Sequence, residues 1–247
     1  MKLTICGSAG SYGAPLRACS SYLVTSERSN LLMDLGNGSF SNFLAVSETS
    51  LLSGVFISHR HHDHLADLVS LFHFMKFVPG AKVDKLPLLA TAVTYEALCN
   101  LTGLALAEVF DFRKIDVNSK ILLGDLELTF CETDHVDGTL GIKITESDGR
   151  TIVYSADSAY CDSLVALAQN ADILLAESTW IERPRWSSRG IHMDALEVGE
   201  LGEAAGVARL VITHVAYPND PNQARQVAST KYSGEILIAN DFDVIEV

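Results

Sequence analysis

The chain predicts an α/β fold, on three observations. Short apolar strands alternate with segments of helical periodicity along its length. Several of those strands run directly into a residue that can ligate a metal. The 247 residues, 48% hydrophobic and 20% charged, are enough for one sizeable core, since a domain this long buries roughly 70% or more of the surface its unfolded chain exposes. The expectation is a single domain over 1–247.

In order, residues 3–6, 21–25 and 31–34 read as strands separated by glycine, serine and proline turns. Residues 51–58 form the next strand, which ends at a histidine cluster. Over 65–77, Leu65, Leu68, Val69 and Phe72 fall at i, i+3, i+4 and i+7, one face of a helix, and Pro79-Gly80 stops it. Residues 87–91 read as a strand, followed by a helix through Tyr95, Leu98 and Leu101. Residues 126–131, 141–145 and 151–155 make a β run with a turn at Ser147-Asp148-Gly149. Asp162 is expected to cap a helix reaching Gln169, and 173–176 is a buried strand. Asp194 with Glu197 three residues on has the form of a capping box opening a helix to about Ala205. Residues 210–213 are a strand, Asp220-Pro221 opens the last helix, and 235–239 and 242–247 close the chain as strands.

Composition excludes several classes. Eighteen Lys and Arg against 31 Asp and Glu leave a net charge of −13. No basic run exists to neutralise a series of phosphates, which weighs against extended nucleic-acid binding. No apolar run approaches the ~20 residues of a membrane helix, and the first strand is too short for the apolar core of a secretory signal. Five cysteines, widely spread and without a Cys-x-x-Cys pair, argue against a disulfide framework or a cysteine zinc site and fit a reducing cytoplasm.

The chemistry gathers at Ser58-His59-Arg60-His61-His62-Asp63-His64, where four metal-ligand types fall within six residues. Imidazole nitrogen and carboxylate oxygen suit zinc and its neighbours. Three later strands end the same way: residues 128–131 lead to His135, 152–154 to Asp157 and 210–212 to His214. Ligands at strand ends sit on rigid positions along a shared rim.

His59-x-His61-x-Asp63-His64 followed by His135, Asp157 and His214 resembles the metallo-β-lactamase fold, in its ribonuclease Z-like phosphodiesterase branch, over essentially the whole chain. Gly7-Ser8-Ala9-Gly10-Ser11, Ser20-Ser21 and Leu32-Met33-Asp34-Leu35-Gly36 resemble the branch's N-terminal signatures. The resemblance implies a four-layer αββα sandwich and two divalent metal ions, zinc first, with manganese or iron as alternatives. His59, His61 and His135 would hold one, Asp63, His64 and His214 the other, and Asp157 would bridge them. The implied activity is hydrolysis of a small or cyclic phosphodiester by a metal-bridging hydroxide, with Asp63 in the catalytic set.

His192 matches the branch's assisting histidine, a general acid or transition-state donor, although Met193 stands where Ser or Thr is commoner. Glu177 matches a buried acidic position and is a candidate to orient His192 or a ligand. His62 reads as a bystander and His73 as helix surface or pocket wall. Phe72, Phe74, Trp180 and Trp186 are candidate pocket walls, Trp180 as a substrate-binding residue. Tyr160, three residues after Asp157, matches a substrate-contacting tyrosine of lactonases with this fold and motivates a lactone or thioester hydrolase as the alternative. Ribonuclease Z-like RNA processing and a non-catalytic metal-binding protein are the others. Asp157 follows His135 by only 22 positions, leaving a hairpin where tRNA-processing members insert a projecting arm. The expected partner is a small-molecule phosphodiester, and a homodimer is an expectation from the resemblance.

Overall fold

The computed structural model describes residues 1–81, 84–103, 105–187 and 191–247. Its strands are β1 (Lys2–Gly7), β2 (Ser21–Thr25), β3 (Asn30–Met33), β4 (Gly54–Phe56), β5 (Leu86–Ala90), β6 (Phe110–Lys114), β7 (Lys120–Leu123), β8 (Leu126–Glu132), β9 (Leu140–Glu146), β10 (Thr151–Tyr154), β11 (Ile173–Glu177), β12 (Arg209–Thr213), β13 (Glu235–Ile238) and β14 (Val244–Glu246). The helices are α1 (Ser39–Val46), α2 (His62–Leu65), α3 (Leu68–Phe77), α4 (Ala92–Thr102), α5 (Asp162–Ala168), α6 (Ala195–Ala205) and α7 (Pro221–Ala228).

The strands form two seven-stranded sheets, ordered β14-β1-β2-β3-β4-β5-β6 and β13-β12-β11-β10-β9-β8-β7. Each carries an antiparallel meander that turns into a parallel run, at β3–β4 in the first sheet and at β10–β11 in the second. Successive side chains of a strand point to opposite faces, and the sequence uses both. Leu31 and Met33 of β3, and Ile152 and Tyr154 of β10, enter the core between the sheets. Leu32 instead faces a second core shared with α1, α3 and α4, where Phe40, Phe43, Leu68, Leu71, Phe72 and Leu98 are buried. Val153, Leu174, Leu210 and Ile212 face a third core under α5, α6 and α7. The result is the expected four-layer αββα sandwich. Among the described residues, no helix is long and apolar enough to cross a membrane.

Several expectations needed adjustment. The helix expected over 65–77 is two: α2 and α3 are separated because Leu35 and Asp67 exchange backbone bonds with the turn between them, Leu35 N donating to His64 O and Asp67 N to Leu35 O. Residue 51 lies in a 3-10 turn, Thr49–Leu51, so β4 is shorter than expected. Cys161, not Asp162, occupies the cap position of α5; Asp162 lies in the first turn, where its charge faces the positive end of the helix dipole. The capping box of Asp194 and Glu197 is formed in full, and Asp220 caps α7. Helix α1 and strands β6 and β7 were not anticipated. The first is eight residues between a glycine turn and a polar turn, and the others are short edge strands, of which β6 is charged.

Candidate metal centre

Local backbone geometry explains how one short motif supplies two sites. After β4 the chain bends at Arg60 and is extended at His61, which has φ −71° and ψ 146°. The rings of His59 and His61 meet edge to face, with centroids 4.7 Å apart. The chain then enters α2, and a helical turn sends Asp63 and His64 elsewhere while His62 faces solvent. Three other strand ends turn through a left-handed residue: Asp34 after β3, Ala156 after β10 and His214 after β12 have φ of 56°, 52° and 56°. Non-glycine residues adopt this region at a cost, and such strain gathers at functional sites.

The seven expected ligands converge in two sets that share Asp157: His59, His61, His135 and Asp157, and Asp63, His64, His214 and Asp157. In the first, His135 Nε2 lies 3.1 Å from His61 Nδ1, and His59 Nε2 is 3.6 Å from Asp157 Oδ2. In the second, His64 Nε2 lies 3.2 Å from both His214 Nε2 and Asp157 Oδ1, and His214 Nε2 is 3.2 Å from Asp63 Oδ2. Asp63 Oδ2 also accepts the Ser11 N–H at 2.8 Å. Two of the signature glycines are needed for close approach. A Cβ on Gly10 would lie 2.3 Å from His214 O and 2.4 Å from its Nδ1, and one on Gly36 would lie 1.9 Å from Asp63 O.

Hydrogen bonds on the far side of the imidazoles set their tautomers. His135 Nδ1–H donates to Ile191 O at 2.6 Å, since a carbonyl can only accept. His64 Nδ1–H donates to Asp34 Oδ2 at 2.8 Å. Ser58 Oγ gives its proton to the same Asp34 oxygen at 2.8 Å, so it accepts from His59 Nδ1–H at 3.0 Å. Asp34 thus orients His64 directly and His59 through a hydroxyl, one ligand of each set. It is fully buried and also takes Ser58 N–H and the Tyr154 hydroxyl. Glu177, equally buried, repeats the device. Its Oε1 accepts His192 Nδ1–H at 2.7 Å, and its Oε2 accepts the Thr179 hydroxyl at 2.8 Å, leaving Thr179 Oγ1 to accept from His214 Nδ1–H at 3.0 Å. In all four metal-facing histidines so anchored, Nε2 is left for the centre, the arrangement that orients metal ligands.

The electrostatics fit cations. Burial holds the His59 imidazole well below its usual range, pulls His61 down to about 4 and lowers His135, so these three imidazoles are neutral at pH 7, as ligation requires. Burial opposes charge on His64 as well, yet Asp157, Asp63 and Asp34 together drive it well above its ordinary value. Asp157 is likewise opposed by burial, and His214, His64 and His59 hold it well below the carboxylate range. The carboxylates thus require positive charge in the hole, from protons or from cations. His59 Nε2 and Asp157 Oδ1 are buried without a hydrogen bond, which a coordinated ion would remedy. The residues fit a pair of divalent cations.

His192 stands beside the cluster, its ring 4.9 Å from His135 and 5.8 Å from His214. Burial would lower its pKa, but the charge and hydrogen bond of Glu177 outweigh this and raise it to about 9. Arg189 and Gly190, which precede it in the sequence motif, lie outside the described residues. Trp180 meets His192 edge to face at 5.5 Å. Tyr160 is placed differently from the lactonase expectation: it packs against the outer core of α5 and α6 with Asp162 and Glu200 as its charged neighbours, and none of its described contacts reaches the cluster. Phe72 is buried in the core under α1 and α3, and Phe74 packs against that core while lining a surface pocket with Leu44 and Val78. His62 and His73 are exposed, the latter stacked on Phe77. Ser58 and Thr179 were missed as site residues. Their only sequence signal is a hydroxyl at or just past the end of an apolar strand.

A beta-lactamase superfamily domain model matches residues 30–215, which include all seven residues of the two sets. The chain is 31% identical over 242 residues to the probable metallo-hydrolase YhfI of Bacillus subtilis (strain 168), covering 97% of each protein. The crystal structure of YhfI superposes with a TM-score of 0.89 at 30% identity, over 100% of this chain and 98% of that one. Ribonuclease Z of Mycobacterium bovis (strain BCG / Pasteur 1173P2) is 28% identical over 277 residues, covering 100% of this chain and 98% of that protein. The crystal structure of a diphosphatase from the PhnP family shares the fold, with a TM-score of 0.80 at 16% identity over 100% and 97% of the two chains. Similarity of this extent agrees with the motif order and the paired sheets: the chain belongs to the beta-lactamase superfamily, with a metallo-hydrolase and ribonuclease Z among its relatives.

Proposed function

We propose that the chain is a dinuclear, metal-dependent phosphodiesterase acting on a small or cyclic phosphodiester, nucleotide-like substrates first. The observation that carries this reading is the sharing of Asp157 between two four-residue sets, with an imidazole favoured in its protonated form held beside them. His59, His61, His135 and Asp157 would hold one cation and Asp63, His64, His214 and Asp157 the other, with zinc the first choice for these donors and manganese or iron the alternatives. Bound there, two cations would supply Lewis acidity, an activated water near neutral pH and charge stabilisation on the phosphoryl oxygens.

The chain's own residues do the rest. Asp63, whose Oδ2 accepts Ser11 N–H, would take the attacking water's proton as well as facing the second cation. His192 keeps Nδ1–H on Glu177, so its Nε2–H is the donor for the departing alkoxide, a role worth typically 10²–10⁴-fold. Trp180 closes the wall beside it. The similarity to a protein named ribonuclease Z supports phosphoester over acyl chemistry. The short β9–β10 hairpin and the charge of −13 favour a small substrate over a gripped RNA.

The test is hydrolysis by protein loaded with two metal equivalents, across bis(p-nitrophenyl) phosphate, cyclic nucleotides, acyl-lactones and thioesters. Turnover of phosphodiesters is expected, and His192→Ala should keep both metals by elemental analysis while losing about 10²-fold or more in kcat for alkoxide leaving groups. Absence of turnover on every phosphodiester refutes the proposal.

A further inference from the structure

Three aromatic rings form a path outward from the centre. Trp180 meets His192 edge to face at 5.5 Å and 85°, and Trp186 meets Trp180 in the same manner at 6.3 Å and 83°. The middle ring is held from several sides. Trp180 pairs with Asp194 at the head of α6, in a bridge where Trp180 N–H donates to Met193 O. Its carbonyl accepts the Ser178 hydroxyl. The Arg183 guanidinium lies over its ring at 5.4 Å and is ion-paired to Glu197, which also closes the capping box of α6. The same two-residue stretch, Met193-Asp194, therefore fixes both His192 and Trp180. Trp186, by contrast, is 80% exposed. It presents a large π-face to solvent at the end of an anchored wall, where aromatic burial is a main source of binding energy.

The direction of this path gives it meaning. If His192 protonates the departing oxygen, the group attached to that oxygen lies on the Trp180 side. We propose that Trp186, carried by Trp180, receives a planar ring on the leaving-group side of the substrate, and so selects ring-bearing phosphodiesters over aliphatic ones. This rests on the phosphodiesterase reading and on the role of His192 within it. An aryl ring and a nucleobase share the chemistry required, a flat π-system that stacks on indole; such stacking is sequence-tolerant and corresponds to roughly tenfold or more in affinity.

The chain contains two tryptophans, Trp180 and Trp186, so intrinsic tryptophan fluorescence reports on this wall alone. Metal-loaded enzyme would be titrated with adenosine 5′-monophosphate against ribose 5-phosphate, and with phenyl phosphate against methyl phosphate. Within at least one pair, the ring-bearing member is expected to quench the fluorescence and to bind about tenfold tighter; the pair that shows it names the source of the ring. Trp186→Ala should abolish that preference without changing affinity for the ringless member, and Trp186→Phe should retain most of it. In turnover, Trp186→Ala should raise KM for the matching ring-bearing diester and leave kcat within twofold. No preference in either pair, or a preference that survives Trp186→Ala, overturns the proposal. Ring preference lost in Trp186→Ala without turnover of any phosphodiester would keep the wall and remove the phosphodiesterase reading; turnover without ring preference would do the reverse.

Discussion

Replacing Glu177 by glutamine separates the charge of the second buried carboxylate from its shape. In the native protein Glu177 accepts His192 Nδ1–H at 2.7 Å and Ser158 N–H at 3.0 Å on one oxygen, and Thr179 N–H and its hydroxyl on the other. Glutamine can keep its carbonyl toward His192, but the negative charge is gone. Burial lowers the His192 pKa; Glu177, by charge and hydrogen bond, is the main opposing cause that brings it from 6.5 up to about 9. Without that charge the imidazole should return to 6.5 or below, a fall of roughly two units or more, each worth about 1.4 kcal/mol. The sign follows from the direction of the shift. A raised pKa keeps the acid form present at neutral pH and loses it as pH rises through the raised value. Bound cations nearby lower it further, so the alkaline limb of kcat should lie at or below about pH 9 in the native enzyme and shift down in Glu177→Gln. At pH 8 the protonated fraction would fall roughly thirtyfold, and with it the rate for a diester with an alkoxide leaving group. A p-nitrophenolate leaving group needs no proton and should lose far less. The assay is a kcat–pH profile with both substrates at saturating metal, with metal content checked in parallel. An alkaline limb that does not move in a variant retaining two metals would refute the assignment of His192 as the acid and Glu177 as its support.

Other consequences bear on metal binding. Ser58→Ala removes the acceptor of His59 Nδ1–H and one donor to Asp34; loss of such an outer partner should weaken the first-set cation about 10–100-fold, read by metal titration with a chromophoric chelator. Thr179→Val should do the same to the second set, since it unpairs His214 Nδ1–H, and an unchanged affinity would show that the hydroxyl does not hold the tautomer. Gly10→Ala places a methyl group within 2.4 Å of His214, so the imidazole must move; retained folding by circular dichroism with about one metal per chain instead of two is the expected outcome.

Much of this arrangement is legible in the linear sequence because metal chemistry restricts residue types so strongly. His59, His61, Asp63, His64, His135, Asp157 and His214 are all recognisable from residue type, spacing and position after apolar strands, and the unbroken apolar runs in β3 and β10 fit strands buried on both faces. Tyr160 shows where position along the chain misleads. Three residues after Asp157 is a matter of counting, but its side chain direction depends on packing against α5 and α6. Ser58 and Thr179 show the opposite failure. A hydroxyl carries no signal until the proton it donates and the proton it accepts can both be traced.

The sequence by itself determined the alternation of strands and helices, the ligand inventory and its order, and the absence of a basic run suited to long nucleic acid. These follow from residue chemistry and periodicity, which are local properties. The resemblance already implied that Asp157 is common to both sets, as the structure shows; only the tertiary structure decided that Asp34 and Glu177 each orient two histidines, one directly and one through a hydroxyl. It also showed Trp180 in ring contact with His192 and with Trp186, while Tyr160 and Phe72 pack in other cores. Those outcomes depend on hydrogen-bond direction and side-chain packing between separate segments, and hydrogen-bond geometry is specified only where the segments meet.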